Sequence, residues 1–245
     1  MIFAGFLLLA IGVADIVRGF VPRPWIGYLV AFVVLGALGV SCGGALAFGI
    51  AVIAAALWLW SVPVDRPRRG SFWPAVIVAA AAVLTVVVLG DRNDAGYLGN
   101  LWEVPSPFGE ISIDAAILAL GAVAFLLESG NVVVRAVLND GHAWRPDAAA
   151  RSTGAAEEFQ TPPVGGFRGG RLIGPLERLI VFLLTLAGAY PVLAAILAAK
   201  GIVRFPEISK DGETGARAEY FLVGSLVSWV IALGAAFLLW WAIHT

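Results

Sequence analysis

The chain has 245 residues, 60% of them hydrophobic and 13% charged, with a formal net charge of −1. A mean hydropathy of +0.90 lies outside the range of soluble domains, and the near-neutral charge argues against a nucleic-acid binder. The apolar runs are continuous rather than alternating, which argues against a β-barrel and leaves an all-α, polytopic transmembrane helical bundle.

In chain order, apolar runs of near-spanning length fall at 2–20, 25–41, 45–62, 72–90, 112–138, 176–200 and 219–243, so about seven spans are expected. No Lys or Arg precedes the first run, so residues 2–20 are expected to remain as a helix rather than leave as a signal peptide. Asp15 and Arg18, one turn apart at its end, read as a local pair at the interface. Ser41-Cys42-Gly43-Gly44 reads as a tight turn, and the single cysteine rules out an internal disulfide. His142 and His244 are far apart, with no H-E-x-x-H or C-x-x-C, so neither a metal site nor a cofactor is expected. The expected organisation is an apolar four-helix half (1–90), an external loop (91–111), and a polar-lined three-helix half (112–245). A Pro/Gly-rich cytoplasmic loop at 139–171, containing TPPVGGFRGGR, interrupts the second half. No internal repeat of the kind that builds many transporters is visible.

Arg18 and Arg23, then Arg66, Arg68 and Arg69, then Arg135, Arg145, Arg151, Arg168 and Arg171 fall on one side if the chain threads alternately. The positive-inside rule makes that side cytoplasmic, with the N-terminus outside and the C-terminus cytoplasmic. Trp25, Trp58, Trp60 and Trp73 are expected at the same interface. Lys200, Arg204, Lys210 and Arg217 resist the scheme, because alternation puts them outside. A re-entrant hairpin broken at Tyr190-Pro191 would return Lys200 to the cytoplasmic side and put the C-terminus outside. The uninterrupted apolar run from Leu179 to Ala199 instead favours a kinked full crossing, which is the expectation here.

The polar residues concentrate late in the chain. In FLLESGNVVVRAVL, Phe125 to Leu138, the residues Glu128, Asn131 and Arg135 share an arc of about 60° at helical spacing. An acid at mid-membrane costs roughly 2.5–3.5 kcal/mol on insertion scales, so Glu128 is expected to be paired, protonated or beside water. Lys200 and Arg204 share a helix face, and Glu177-Arg178 open the same segment. Under a full crossing these are flanking anchors; under the hairpin they converge with Arg135 into a basic pocket for a lipid headgroup or phosphate. Glu219 and Tyr220 begin the last span, where an acid complements the helix dipole and a tyrosine suits the interface. Gly224, Ser228, Ala232 and Ala236, like Ala187, Pro191, Ala195 and Ala199, form small-residue stripes against which a second backbone could pack. Catalytic signatures fail: Asp140-Gly141-His142-Ala143-Trp144-Arg145 has the wrong spacing for the metal-dependent enzymes that transfer CDP-linked alcohols, and Gly224-Ser225 lacks a histidine partner.

Three blocks in the last third of the chain, Gly170–Arg178, Ala198–Phe205 and Ala218–Leu226, resemble the C-terminal portion of an uncharacterised bacterial integral-membrane family, a domain of unknown function. The resemblance implies a bacterial inner (cytoplasmic) membrane location. It also implies that Glu177, Arg178, Lys200, Arg204, Glu219 and Tyr220 form one constellation with the stripe at Glu128, Asn131 and Arg135. Three functions fit. The first is a non-catalytic membrane subunit or scaffold, packed on a protein partner or a second copy through its small-residue faces and surrounded by membrane lipids. The second is a small-solute, ion or proton translocation protein using Glu128. The third is a lipid-headgroup-binding membrane enzyme.

Overall fold

The computed structural model describes residues 1–62, 71–89, 96–102, 105–106, 109–140, 170–208 and 216–244. The basic stretches at 63–70 and 141–169, with most of the Pro/Gly-rich tether and His142, lie outside the described residues, as does Lys210. The long elements are all helices: α1 (Ile2–Phe20), α2 (Pro24–Ser41), α3 (Ala45–Ser61), α4 (Trp73–Leu89), α6 (Ile113–Ala124), α7 (Gly130–Asp140), α8 (Gly170–Leu186), α9 (Tyr190–Ile208) and α10 (Ala216–His244). A short α5 (Gly96–Leu101) and an antiparallel pair of two-residue strands, β1 (Pro105–Ser106) and β2 (Gly109–Glu110), precede α6. A π-helical turn, Phe125–Ser129, joins α6 to α7 without a break in direction.

Among the described residues four helices are long and apolar enough to cross a membrane: Ile2–Phe20, Pro24–Ser41, Ile113–Asn139 and Ala218–His244. Ala45–Ser61, Trp73–Leu89 and Tyr190–Val203 are shorter apolar helices. Local chemistry marks the ends. Pro24 opens α2, where its missing N–H has no helical acceptor to lose, and Ser112 caps α6 by accepting from Ala115 N at 3.2 Å.

The centre of the bundle is α1. Its spanning window is 72% buried, against 6% for α2, and it packs on α2, α3, α4, α6 and the π turn. Glycine makes this possible. A Cβ on Gly12 would stand 2.5 Å from the carbonyl carbon of Ala124, and one on Gly121 would stand 2.5 Å from Gly5 O. Because Gly5 meets Ile117 and Leu118 while Gly12 meets Ala124 and Phe125, α1 and α6 run parallel. The N-terminal helix therefore lies against the polar-lined part of the chain.

The expected single crossing over 176–200 is not one helix. α8 ends at Leu186 and α9 begins at Tyr190, joined by a turn in which Gly188 has φ 66°. Ala189 N donates to Leu184 O at 2.9 Å and Gly188 N to Thr185 O at 3.1 Å, a Schellman closure that needs the left-handed residue glycine supplies. Gly44 N to Gly39 O at 2.7 Å and Gly43 at φ 64° close α2 in the same way. Pro191 falls in the first turn of α9, where it starts a helix instead of kinking one. Lys200 Nζ lies 2.5 Å from Glu177 Oε2, so α8 and α9 are antiparallel and these two positions stand abreast, each roughly 14 Å of helix from the turn.

The hairpin also redistributes the small-residue stripes. Ala187 belongs to the turn, so the spacing that begins there does not continue along one face; Pro191, Ala195 and Ala199 are exposed on α9. On α10, Ser228, Ala232 and Ala236 are buried within the chain, and Gly224 faces Leu138 and Val134 of α7.

Candidate functional site

The site begins with a backbone irregularity. In the π turn the Gly130 N–H reaches back to Phe125 O and Glu128 O, and Leu126 O does not receive the Gly130 bond an α-helix would give it. That carbonyl accepts instead from Arg178 Nε, at 2.8 Å, across from α8. Arg178 is 2% exposed, among the largest of the enclosed side chains in the described residues. It lies flat against Gly130, where an added Cβ would come within 2.6 Å of Nε. Its Nη2 donates to Asn131 Oδ1 at 2.6 Å, and Nη1 makes a long 3.5 Å contact with Ser228 Oγ of α10.

Asn131 connects this cation to the acid. Its Nδ2 donates to Glu128 Oε2 at 3.2 Å while its Oδ1 accepts from Arg178, so one amide, oriented by both neighbours, bridges opposite charges. Glu128 is 5% exposed, and Arg135, half-exposed one turn beyond Asn131, approaches Glu128 Oε1 at 3.9 Å. The stripe expected from the sequence therefore exists, and Arg178 extends it across to α8. The three hydrogen-bond acceptors of Arg178 are all neutral, so its charge is balanced by Glu128, through Asn131 and through space, and by the neighbouring Glu177.

Asp15 belongs to the same region: its expected local pair with Arg18 forms, and the acid is enclosed by neighbouring helices. It is 1% exposed because α1 is the central helix. Arg18 Nη2 donates to its Oδ1 at 2.6 Å, and Trp58 Nε1 of α3 donates to its Oδ2 at 3.0 Å. Trp58, expected at the headgroup level, is thus a buried donor; Arg18 also caps the end of α3 by donating to Val62 O at 2.9 Å. The Ser129 hydroxyl, fully buried in the π turn, lies near the Asp15 carboxylate but outside hydrogen-bonding geometry, and has no hydrogen-bond partner among the described residues. Glu128 is within electrostatic reach of both Asp15 and Arg178. Asp15 did carry a sequence signal, an acid several residues inside an apolar run, but the arginine three positions on supplied a local explanation. Trp58 and Ser129 carried none.

Glu177 and Lys200 form a second group on the neighbouring face of α8. Lys200 Nζ stands 5.7 Å from the centroid of Phe221 and 5.8 Å from that of Trp229, both on α10. Arg204 follows one turn later in α9 by its backbone, and its side chain is outside the described residues. Glu219 is exposed at the start of α10, with Tyr220 half-buried beside it. The expected constellation is therefore drawn apart: Arg178 turns inward to Leu126, Asn131 and Ser228, while Glu177 and Lys200 face one another. Among the described residues no group of three or more His, Cys, Asp or Glu side chains could hold a metal ion.

No family model, curated protein or solved structure matches the chain. What the site does must come from its geometry. Two acids, Asp15 and Glu128, and one arginine, Arg178, are buried in an apolar bundle, with carboxylate oxygens engaged by donors of the same bundle. A charge so placed resists removal: breaking a buried pair by deleting one partner costs about 3–5 kcal/mol in soluble proteins. The same closure leaves no carboxylate oxygen of Asp15 without a donor.

Proposed function

We propose that the chain is a non-catalytic integral membrane subunit whose buried ionic network fixes the arrangement of its helices. The observation that carries this reading is the seat of Arg178, sealed against Gly130 and committed to neutral acceptors on the π turn, α7 and α10. A guanidinium held this way joins segments of the chain; it does not face a substrate. The test uses the full chain in liposomes. Arg178→Met and Glu128→Gln are expected to lower thermal stability, and the wild type to carry no proton or cation flux. Flux that Glu128→Gln abolishes at unchanged stability would replace this reading with translocation.

Translocation is the second reading, favoured by one specific observation: the buried Ser129 hydroxyl, without a hydrogen-bond partner among the described residues, lies near Asp15, and Glu128 is in electrostatic reach of that acid. Polar groups lead from this point toward Arg18 and Arg135 at one end of the bundle, whereas the α1 segment from Ile2 to Ala14 offers only apolar side chains and glycine toward the other. The other end holds the buried Asp114, but 14 residues, about 21 Å of helix, separate it from Glu128, and an apolar stretch of that length suits anchored charges better than a conduit.

The proposed topology has α1, α2, α3, α4, α6 with α7, α8, α9 and α10 as successive crossings, which puts both termini on the same side. It supports a bacterial cytoplasmic membrane protein with both ends outside, because the 209–215 connection then joins Arg18, Arg23 and Arg135 on the positive side and the conflict over Lys200 and Arg204 disappears. A C-terminal alkaline phosphatase fusion is expected to be active and a C-terminal green-fluorescent fusion dark; the opposite pair of results would restore a cytoplasmic C-terminus.

A further inference from the structure

The exposed tryptophans and tyrosines fall at the two ends of the bundle, and side-chain contacts establish which helix ends coincide. Gly27, in the first turn of α2, stands against Val17 and Val21, and Arg18 donates to Val62 O just beyond α3. The start of α2 and the end of α3 therefore lie beside the end of α1. At the opposite end, Gly44 stands against Ile2 and Phe6, and Gly96 of α5 stands against Cys42 and Gly43, so the α2–α3 turn and α5 lie beside the start of α1. Gly174 meets Asn131 while Arg178 bonds to Leu126, so α8 is antiparallel to α6 and α7 and carries its turn to Tyr190 toward the start of α1. Gly224 faces Leu138 and Ser228 meets Arg178, so α10 ends on that side as well.

Two rings result. The first holds Trp25 at the start of α2, Trp60 at the end of α3 and Trp73, which opens α4, the helix that leads into α5. The second holds Tyr97 of α5, Trp102, whose Nε1 donates to Ile111 O ahead of α6, Tyr190 of α9, and Trp240 and Trp241 of α10. Tyr190 and Trp240 stand level, because each lies twelve residues, about 18 Å of helix, beyond the touching pair Arg178 and Ser228. Every exposed Trp or Tyr among the described residues belongs to a ring, and the exposed large apolar side chains between the rings are Leu, Ile, Val and Phe. Among the described residues no exposed charged side chain lies between them; Glu177 and Lys200, half-buried there, pair with each other. The rings are about 24 Å apart along α3, from Gly44 to Trp60, and about 30 Å apart along α10, from the half-buried Tyr220 to Trp240. That is the thickness of a bilayer's hydrocarbon core, about 30 Å, and side chains with an apolar body and one polar tip prefer its two edges. We propose that the rings meet the two headgroup layers of a bilayer and that lipid chains cover the aliphatic faces of α2 and α3 between them. Arg178 and Ser228 then lie about 18 Å below the second layer and about 12 Å from the first, so the buried ionic network is off-centre, toward the side that carries Arg18, Arg23 and Arg135. The proposal rests on the membrane reading of the chain, and the test separates the two.

The full chain is placed in vesicles of phosphatidylcholine brominated either near the headgroup or near the chain ends, and its tryptophan fluorescence is followed. The shallow bromines are expected to cause the larger loss. A larger loss from the deep bromines overturns the rings alone, and no loss from either overturns the membrane reading with them. The belt is tested separately with nitroxide labels at Val33→Cys on α2 and Ile53→Cys on α3, both exposed and each about 10–12 Å of helix inside the first ring. Cys42, fully buried, stays unlabelled in the folded chain. Oxygen, which concentrates in hydrocarbon, is expected to relax both labels more than a water-soluble nickel chelate does, and a label at Trp60→Cys to shift the balance toward nickel. Nickel access at Val33→Cys or Ile53→Cys equal to that of oxygen means water covers the belt, and access by neither means a protein does; both results overturn the proposal. If a variant fails to fold, the wild-type quenching decides.

Discussion

Gly130→Ala separates the structure of this site from its composition. In an ordinary helix interior the substitution stabilises by about 1 kcal/mol through backbone propensity. Here the new Cβ would stand 2.6 Å from Arg178 Nε, 2.9 Å from Cζ and 3.1 Å from Cδ, so the guanidinium must withdraw. Withdrawal breaks the 2.8 Å bond to Leu126 O and the 2.6 Å bond to Asn131 Oδ1. Hydrogen bonds to charged groups contribute about 1.5–3 kcal/mol in water-soluble proteins, and interhelical bonds in membranes average nearer 0.6, with a maximum near 1.7. Taking about 1–2 kcal/mol for each bond and subtracting the propensity gain leaves a net loss of about 1–3 kcal/mol.

Cys42 supplies the assay, because it is the sole cysteine and is fully buried at the α2–α3 turn. A thiol-reactive fluorophore reports its exposure as the full chain is heated in lipid nanodiscs. Gly130→Ala is expected to lower the midpoint. In an Arg178→Met background the same change is expected to be neutral or to raise the midpoint, since no guanidinium remains to be displaced. A higher midpoint for Gly130→Ala alone, or an equal loss in both backgrounds, would refute the claim that this glycine exists to seat the arginine.

Three further outcomes follow from the same assay. Gly12→Ala would set a Cβ 2.5 Å from the carbonyl carbon of Ala124 and 2.6 Å from Phe125 N; backbone cannot rotate away, so α1 and α6 must part, at a cost of about 3 kcal/mol, the upper end for overpacking. Trp58→Phe removes the donor to Asp15 Oδ2 and is expected to cost about 1–2 kcal/mol, whereas Trp60→Phe, on a side chain 75% exposed, is expected to change nothing. Ser129→Ala deletes a hydroxyl without a hydrogen-bond partner and is expected to be neutral or stabilising by up to about 1 kcal/mol; a clear loss would mean that the hydroxyl holds something in place.

Much of this arrangement is legible in the residues, and the rest is hidden for identifiable reasons. Helical spacing alone puts Glu128, Asn131 and Arg135 on one face, and they do interact there. The π turn is not legible, because Phe125–Ser129 has no composition that distinguishes it from an α-helical turn. The hairpin left two traces, Gly188 near Pro191 and the basic residues from Lys200 onward, but apolar length masked them: a run long enough for one crossing also suits two helices that turn partway. The pairing of Asp15 with Arg18 is legible, but the burial of Asp15 is not, because an i, i+3 pair looks the same on an exposed and on an enclosed face. What distinguishes the two is whether α1 is central, and that depends on Gly5 and Gly12 meeting residues more than a hundred positions away. Long-range backbone approach of this kind has no local signature.

The π turn and the hairpin explain one another. An α-helical register through 125–130 would give Leu126 O to Gly130 N–H, and Arg178 would then enter an apolar bundle with one acceptor fewer. The π register withholds that bond, and without an outside donor Leu126 O would be a carbonyl unpaired by Gly130 in a region where no water replaces it. Each defect is costly alone and is relieved by the other, through a single 2.8 Å bond. The contact therefore selects register as well as adding stability: sliding α8 by one residue along α6 and α7 would remove Arg178 from Leu126 O, Asn131 Oδ1 and the gap at Gly130 together. A hydrophobic side chain at 178 could pack as tightly in several registers, so a buried arginine with neutral acceptors is better suited to specifying one position of the hairpin than to maximising its affinity for the bundle.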